Sequence, residues 1–347
     1  MTLSVGLMAV PGSSPAGALA TVAAAVPVVF DTDMDFDDAA ALAYLSQEHK
    51  QGRIDLRAVT VTNSGVGLPG LAIHNARCIL RRLGLSSIPV ADGSPTAPNL
   101  APPELRATVQ SVFTTVLLGC LESLLPSRTS APQLLVNAIR GAPAKVVVIA
   151  TGPLSNVAAA IRLDAAGSPT TTLADRIAHT YVMGGAVHVP GNVCCTTTLG
   201  TDGSQELNAW IDPRAAADTF SALPEGSVSL IPLDATRFVP VRASFIDRLR
   251  ADQHTAEARL VTAIATHPVV TVGALAGAYW WDPLAAVAAT RSGVVGYEDQ
   301  RIVVVQDGAQ SGRTAPSPDG RRIQVGVFAE QIAFEQIFLD TLNGRAV

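Results

Sequence analysis

The sequence predicts an α/β protein: a single domain on an open, mainly parallel, Rossmann-like sheet flanked by helices. Three observations carry this expectation. Short apolar runs alternate with stretches of helical periodicity along most of the chain, as consecutive βαβ units require. Of the 347 residues 48% are hydrophobic and the mean hydropathy is +0.32, so a large core can be buried and disorder is excluded. No repeat or composition break divides residues 27–347, which read as one unit preceded by a tail.

The elements follow in order. Expected strands are Val28–Asp31, Leu56–Thr62, Pro89–Ala91, Lys145–Ala150, Ile177–Met183 and Val228–Pro232, mostly short runs rich in Val and Ile. Expected helices are Asp38–His49, Gly70–Leu83, Pro132–Arg140, Pro153–Arg162, Pro213–Phe220 and Ala243–Arg250. From Pro240 to Thr290 the pattern is mostly helical; IVVVQ and RRIQVGV then read as a late β-hairpin, closed by a helix from Ala329 to Leu342. The first 26 residues are small, apolar and uncharged and lead into an A-x-A pattern. They read either as a secretory signal lacking its basic region or as an Ala-rich tail, so the location is cytoplasmic or exported. No later apolar stretch has transmembrane length. Cys78, Cys120, Cys194 and Cys195 are too few and too irregularly spaced to declare a disulfide framework or a zinc site. The adjacent pair is expected as two unpaired thiols.

The net charge is −5 and no Lys/Arg cluster occurs, which removes nucleic acid as a partner and favours a small, neutral or weakly charged substrate. The most informative stretch is VVFDTDMDFDDAAALAYL, residues 28–45. An apolar run stops at Asp31, Asp33, Asp35, Asp37 and Asp38, where open α/β sheets build their sites, and no Lys or Arg precedes Lys50. One or two of these aspartates are expected to cap the following helix. Five exceed what a cap needs, and a divalent cation held by hard oxygens, Ca²⁺ or Mg²⁺ rather than Zn²⁺, accounts for the remainder.

Other strands end in polar groups that a parallel sheet delivers to the same edge: Thr62-Asn63-Ser64-Gly65, Thr151-Gly152-Pro153-Leu154-Ser155-Asn156 and Gly184-Gly185. Glu206 and Asn208, two apart, would point the same way from an extended segment and suit a polyhydroxylated ligand. In Tyr279-Trp280-Trp281-Asp282-Pro283 one tryptophan is expected to face the core and the other a planar ligand.

Taken in order, these segments resemble the nucleoside hydrolase family. The chain matches its D-x-D-x-x-x-D-D signature at Asp31–Asp38, then the Asn63 turn, ATGPLSN, MGGAVHVPGN, Glu206-Leu207-Asn208 and WDPLA. The resemblance implies the nucleoside hydrolase fold, residues 27–347 as the catalytic domain, and a homo-oligomer, dimer or tetramer. It implies a Ca²⁺ held by Asp33, Asp38, Asp282 and the carbonyl of Thr151, with Asp33 as general base toward water. Ribose-binding positions would be Asp37, Asn63, Asn192, Glu206 and Asn208, with Met183 lining the pocket. The position before the last calcium-binding Asp, often His in pyrimidine-cleaving branches, is Trp281 here. That replacement implies stacking on a purine whose leaving is assisted by solvent protonation; Tyr279, Trp280 and His188 remain candidate helpers.

Two local features depart from the family pattern. Asp35 adds a carboxylate, and the long loop Val193–Gln205 is expected to lie over the site as a lid. Two other readings compete. A non-catalytic nucleoside or ribose binder would keep the pocket without turnover. An aspartyl phosphohydrolase also starts with D-x-D after a strand, but it needs Mg²⁺ and a cation for the phosphoryl oxygens, and Lys50 and Lys145 are the only lysines.

Overall fold

The computed structural model describes residues 1, 24–168, 170–193, 200–275 and 277–347, so most of the N-terminal tail and the Cys194-Cys195 pair lie outside the described residues. Nine strands form one sheet: β1 (Val26–Thr32), β2 (Ile54–Val61), β3 (Val90–Asp92), β4 (Val146–Ala150), β5 (Ile177–Met183), β6 (Val228–Ile231), β7 (Val295–Val304), β8 (Thr314–Pro316) and β9 (Arg321–Ala329). Their order is β3-β2-β1-β4-β5-β6-β9-β7-β8. The first six are parallel in the doubly wound order, β9 continues parallel to β6, and β7 and β8 close the edge antiparallel. The chain reverses its winding direction between β1 and β4, and their carboxyl ends open the crevice where such sheets bind ligands.

Helices cover both faces, which is why the strands read as continuous apolar runs. Val28 and Phe30 of β1 point into one core, Val29 into the other. The first core is packed by α1 (Phe36–Lys50), α2 (Leu71–Arg82), α3 (Pro103–Val116) and residues from the helical segment late in the chain. The second is packed by α4 (Ala131–Arg140), α5 (Ser155–Ala166) and, after the short α6 (Leu207–Ile211), by α7 (Pro213–Ala222). Beyond the one-turn α8 (Leu233–Thr236), the late segment comprises α9 (Ala243–Ala251), α10 (Ala256–Ala265), α11 (Pro268–Leu275), α12 (Trp281–Thr290) and the closing α13 (Gln331–Leu342).

The expected strands and helices all form, with ends shifted by a few residues. The hairpin strand is longer than IVVVQ implies: β7 starts at Val295, and its polar half pairs with β9 across Arg322 and Gln324. The sequence reading passed over α3, which starts with a proline in its first turn and repeats Val109, Val112, Phe113 and Val116 on its buried side. That spacing is the helical signal; a run of Val and Thr, poor helix formers, obscures it.

Cys78 of α2 and Cys120, just past α3, form a disulfide across 42 residues, where the spacing alone declared no pairing. In the chain-entropy account a loop of that size is worth about 4 kcal/mol. The pairing depends on α2 lying beside the end of α3, which local sequence does not report.

The far end of α1 is held by charge. Glu48, fully buried, receives two hydrogen bonds from Arg53 (2.8 and 2.6 Å) and two from Arg291 at the end of α12 (3.0 and 2.9 Å). Burial pushes this carboxyl up, but the hydrogen bonds and charges of the two arginines outweigh it and hold it below the usual range. Because the folded pKa is depressed, the contribution is present above the unfolded pKa of about 4.3 and is lost as pH falls through the folded value. Glu48→Gln should therefore cost about 1.5–3 kcal/mol at pH 7. The difference in urea midpoint from wild type should shrink as pH drops below about 4.

Candidate active site

Five of the acids gather where β1 hands over to α1 and where α12 begins. Asp35 is the N-cap of α1, its carboxylate accepting from the Phe36 N–H (2.5 Å), while Asp38 reaches back to accept from the Asp35 N–H (2.7 Å), a reciprocal capping box. Asp38 also accepts from the Thr151 hydroxyl (2.5 Å), which ties the end of β4 to α1. Asp33 sits in the turn between, and its Oδ2 accepts from the Val66 N–H (2.7 Å). From α12, the Asp282 N–H donates to Asp37 (3.2 Å).

Asp38 stands close enough to Asp33, and Asp37 to Asp282, for their charges to repel. Burial, then repulsion from Asp38, raises Asp33 well above the carboxylate range; burial and Asp37 do the same to Asp282. Asp37 is pushed to about 7 by burial and Asp38, and burial raises Asp35 and Asp38 as well. Buried carboxylates with elevated proton affinity, offering only hard oxygen donors, fit a divalent cation of the Ca²⁺ or Mg²⁺ kind. Asp33, Asp282 and Thr151 line one cleft and the charges of Asp38 and Asp33 both act on Asp282, but among the described residues no three carboxylates offer ligand atoms within 4.8 Å of one another. Asp31 stands apart: it is buried below the cluster, accepts from Thr60 (2.6 Å) and Asn156 (2.8 Å), and is raised to about 7 by burial.

Above the acids lies a cleft of about 930 Å³. Its buried floor is polar, with Asp33, Asp37, Asp282 and Glu206 beside half-buried Asn208, and the half-buried or exposed side chains Phe36, Leu105, Val269, Val272 and Trp281 make an apolar mouth. Trp280 is buried in the core (1% exposed), and Trp281, half-buried, lines the cleft. Met183 and Asn192 also line it, and the Asn192 Oδ1 accepts from the Leu207 N–H (2.9 Å).

Glu206 and Asn208 do meet, but not along an extended segment. Glu206 is the N-cap of α6, and its carboxylate accepts from the N–H groups of Gly185 (2.8 Å), Asn208 (3.0 Å) and Ala209 (3.1 Å). Asn208 donates from the first turn to the carbonyls of Thr151 (3.0 Å) and Met183 (3.3 Å), joining the ends of β4 and β5.

Other expected positions have partners of their own. The Asn63 side-chain amide donates to the Gly93 carbonyl (2.9 Å) and its backbone carbonyl accepts from Arg106 (2.5 Å), while its buried side-chain oxygen has no hydrogen-bond partner. Tyr279, Trp280 and His188 do not line the cleft; His188 faces Gln300 (3.1 Å). Of the long loop, Val193 reaches the cleft, whereas Asp202 and Gln205 are pinned to Gln310 and Ala309, and residues 194–199 lie outside the described residues.

Missed by the sequence reading was Arg106 of α3, a buried cation near Asp33. Burial lowers its proton affinity and the Asp33 charge opposes this. It donates to the carbonyls of Gly65 (2.8 Å) and Asn63 (2.5 Å) and so fixes the turn whose Val66 N–H holds Asp33. Glycine is required in this turn: a Cβ at Gly65 would stand 2.1 Å from Asp33 Oδ2.

Residues 28–337 match the family described as inosine-uridine preferring nucleoside hydrolase. Over 236 residues the chain is 31% identical to the pyrimidine-specific ribonucleoside hydrolase RihA of Citrobacter koseri, covering 65% of this chain and 66% of that protein. It is likewise 31% identical over 233 residues to RihA of Shewanella oneidensis, covering 65% and 64%. The chain thus spans just under two thirds of the length of these curated relatives. Among solved structures, an inosine-uridine preferring nucleoside hydrolase from Bacillus anthracis aligns with a TM-score of 0.79 at 22% identity, over 92% of this chain and 99% of that one. A purine-preferring ribonucleoside hydrolase from Gardnerella vaginalis aligns at 0.75 and 22%, over 92% and 98%. These two likenesses speak to the fold.

Arg106→Met leaves two buried carbonyls without a charged donor. It should lower the unfolding free energy by about 3 kcal/mol in urea titrations. Arg106→Lys should recover less than half of that, because an ammonium lacks the planar fork that serves both carbonyls.

Proposed function

The chain belongs to the inosine-uridine preferring nucleoside hydrolase family, and from that premise we propose that it hydrolyses the N-glycosidic bond of ribonucleosides, with purine nucleosides preferred, giving free base and ribose. The observation that supports this reading most is the division of one cleft into a floor of buried acids and amides and an apolar mouth carrying Trp281. The floor suits a sugar's hydroxyls and the mouth a flat base. No described residue of the cleft wall is Lys or Arg, the cation a phosphoryl-transfer site would need.

In this reading Asp33, Asp38, Asp282 and the Thr151 carbonyl would hold a Ca²⁺, which would supply positive charge for the sugar's hydroxyls and for acidifying a water. Asp33 takes the proton of the attacking water. The Val66 N–H fixes its Oδ2, so the side chain has one orientation in which to do so. Asp37 accepts from a ribose hydroxyl, and Glu206, Asn208 and Asn192 complete the sugar's surroundings. As the bond to C1′ breaks, positive charge develops on the ribose ring, and the carboxylates of the floor stabilise it by their field.

The leaving base must gain a proton. The described cleft wall contains no His, Lys, Arg, Tyr or Cys to give one. Trp281 instead offers a face on which a base stacks while solvent protonates it, and a purine, with its accessible ring nitrogen, meets that requirement. The RihA relatives are named pyrimidine-specific and the Gardnerella structure purine-preferring, so a substrate panel is the deciding measurement.

Reducing-sugar release from inosine, adenosine, guanosine, uridine and cytidine should be largest for the purines and should vanish with a calcium chelator. Tight binding without turnover would establish a nucleoside binder instead. Asp33→Asn should lower kcat by about 10²–10⁴-fold with the fold retained; a wild-type kcat would remove Asp33 from its role. Trp281→Ala should depress turnover of purine nucleosides far more than that of p-nitrophenyl riboside, whose leaving group needs no protonation. Equal losses on both would reduce Trp281 to packing.

A further inference from the structure

Away from the cleft, one side of α2 grips the chain that follows α3. Arg77 donates to the carbonyls of Ser123 (2.9 Å) and Leu125 (2.7 Å), Arg81 to the Glu122 carboxylate (2.7 Å) and Arg82 to the Val116 carbonyl (2.6 Å). His74 Nδ1 lies 3.0 Å from the Glu122 carbonyl. A carbonyl only accepts, so Nδ1 carries the proton and Nε2 presents its lone pair. That Nε2 is 3.4 Å from the Cys78 sulfur, and the ligand atoms of His74, Cys78 and Cys120 all lie within 4.8 Å of one another.

This is the ligand pattern of a thiophilic cation. A histidine ligand is normally oriented by a backbone carbonyl on its other ring nitrogen, as His74 is here. The nitrogen-to-sulfur separation matches the edge of roughly 3.5 Å expected for a tetrahedral site with metal–N and metal–S bonds of about 2.0 and 2.3 Å. The grip of Arg77, Arg81 and Arg82 does not depend on the sulfur–sulfur bond, so both cysteines stay in reach when it opens. His74 and Cys120 are half-buried, which admits reductant and ion from solvent.

We propose that His74, Cys78 and Cys120 form a redox-exchangeable metal site. The cysteines are a disulfide under oxidising conditions, and after reduction they bind a Zn²⁺-like cation as thiolates together with His74 Nε2, leaving a fourth position for water. A dithiol reductant donates two electrons and two protons across the sulfur–sulfur bond, giving two thiols while becoming a disulfide itself. Metal binding then releases the two thiol protons to solvent. Soft thiolates keep this site chemically separate from the hard-oxygen aspartate cluster.

The test uses the full chain reduced with dithiothreitol, freed of reductant without air and titrated with Co²⁺ in excess Ca²⁺. Thiolate-to-cobalt charge-transfer absorption should grow to saturation at a single ion per chain and be bleached by Zn²⁺. The oxidised wild-type protein, which needs no substitution to fold, should stay silent. His74→Ala, which keeps the disulfide partners, should weaken Co²⁺ binding by about tenfold or more. Cys120→Ser should abolish the absorption, and the Cys194→Ser/Cys195→Ser double variant should keep it. No absorption in the reduced wild type, absorption that survives Cys120→Ser, unaltered affinity in His74→Ala, or loss in the double variant each overturns the proposal.

Discussion

The rest of the molecule is arranged around the burial of like charge. The charges of Asp33, Asp35, Asp37 and Asp38 all bear on Asp282. Two unit charges about 4 Å apart repel by about 4 kcal/mol at an effective dielectric near 20. Ionising the whole group unaided would therefore exceed the 5–15 kcal/mol that holds a typical domain together. Protons or a cation must relieve it, and the backbone contributes what it can. The N-termini of α1 and α12 both meet the cluster, and the Asp35, Asp282 and Val66 N–H groups are spent on its carboxylates. The opposite ends of the same two helices are fastened together by Glu48 and Arg291, so the geometry that concentrates charge at one end is fixed by opposite charge at the other.

The doubly wound sheet explains why the cleft is polar below and apolar above. Strand ends deliver Asp33, Thr151 and Met183 to one edge, where the winding reverses and the backbone stays open to a ligand. Helices that arrive from the side, α3 and α11, contribute mostly apolar side chains, among them Leu105, Val109 and Val269, together with Thr108. Close approach matters as much as side chains. Gly65 and Gly152 let two turns press against Asp33, with a Cβ at Gly152 standing 2.8 Å from the Asp33 nitrogen. The acid is thus gripped by chain from β2 and β4 as well as by its own turn.

Much of this was legible in the sequence because it is local. The strand and helix alternation, the aspartates after β1 and the unequal burial of Trp280 and Trp281 are written in neighbouring residues. What escaped is non-local. Arg106 is one arginine in a helix with a weak signature, and only the packing of α3 against the turn after β2 makes it the buried partner of that turn. The resemblance makes Asn63 a ribose contact, and only the approach of Gly93, 30 residues on, shows that its side-chain N–H donates to that carbonyl. Glu206 and Asn208 share a site through a helix start rather than through strand periodicity, and no spacing rule separates those two origins. The Cys78–Cys120 pairing needs the distance between α2 and the end of α3, which the 42-residue separation conceals.

The helix that the sequence hid couples the two halves of the cleft. Leu105 and Thr108 of α3 form part of the mouth, while Arg106 from the same turn reaches behind Asp33. The far end of α3 is tied to α2 by Arg82 on the Val116 carbonyl and by the disulfide at Cys120. A displacement of α3 that widens the mouth therefore also slackens the turn at Asn63–Val66 and, through the Val66 N–H, the orientation of Asp33. The width of the mouth and the orientation of Asp33 are on this account one mechanical variable. Its set point is held by contacts that never touch the ligand.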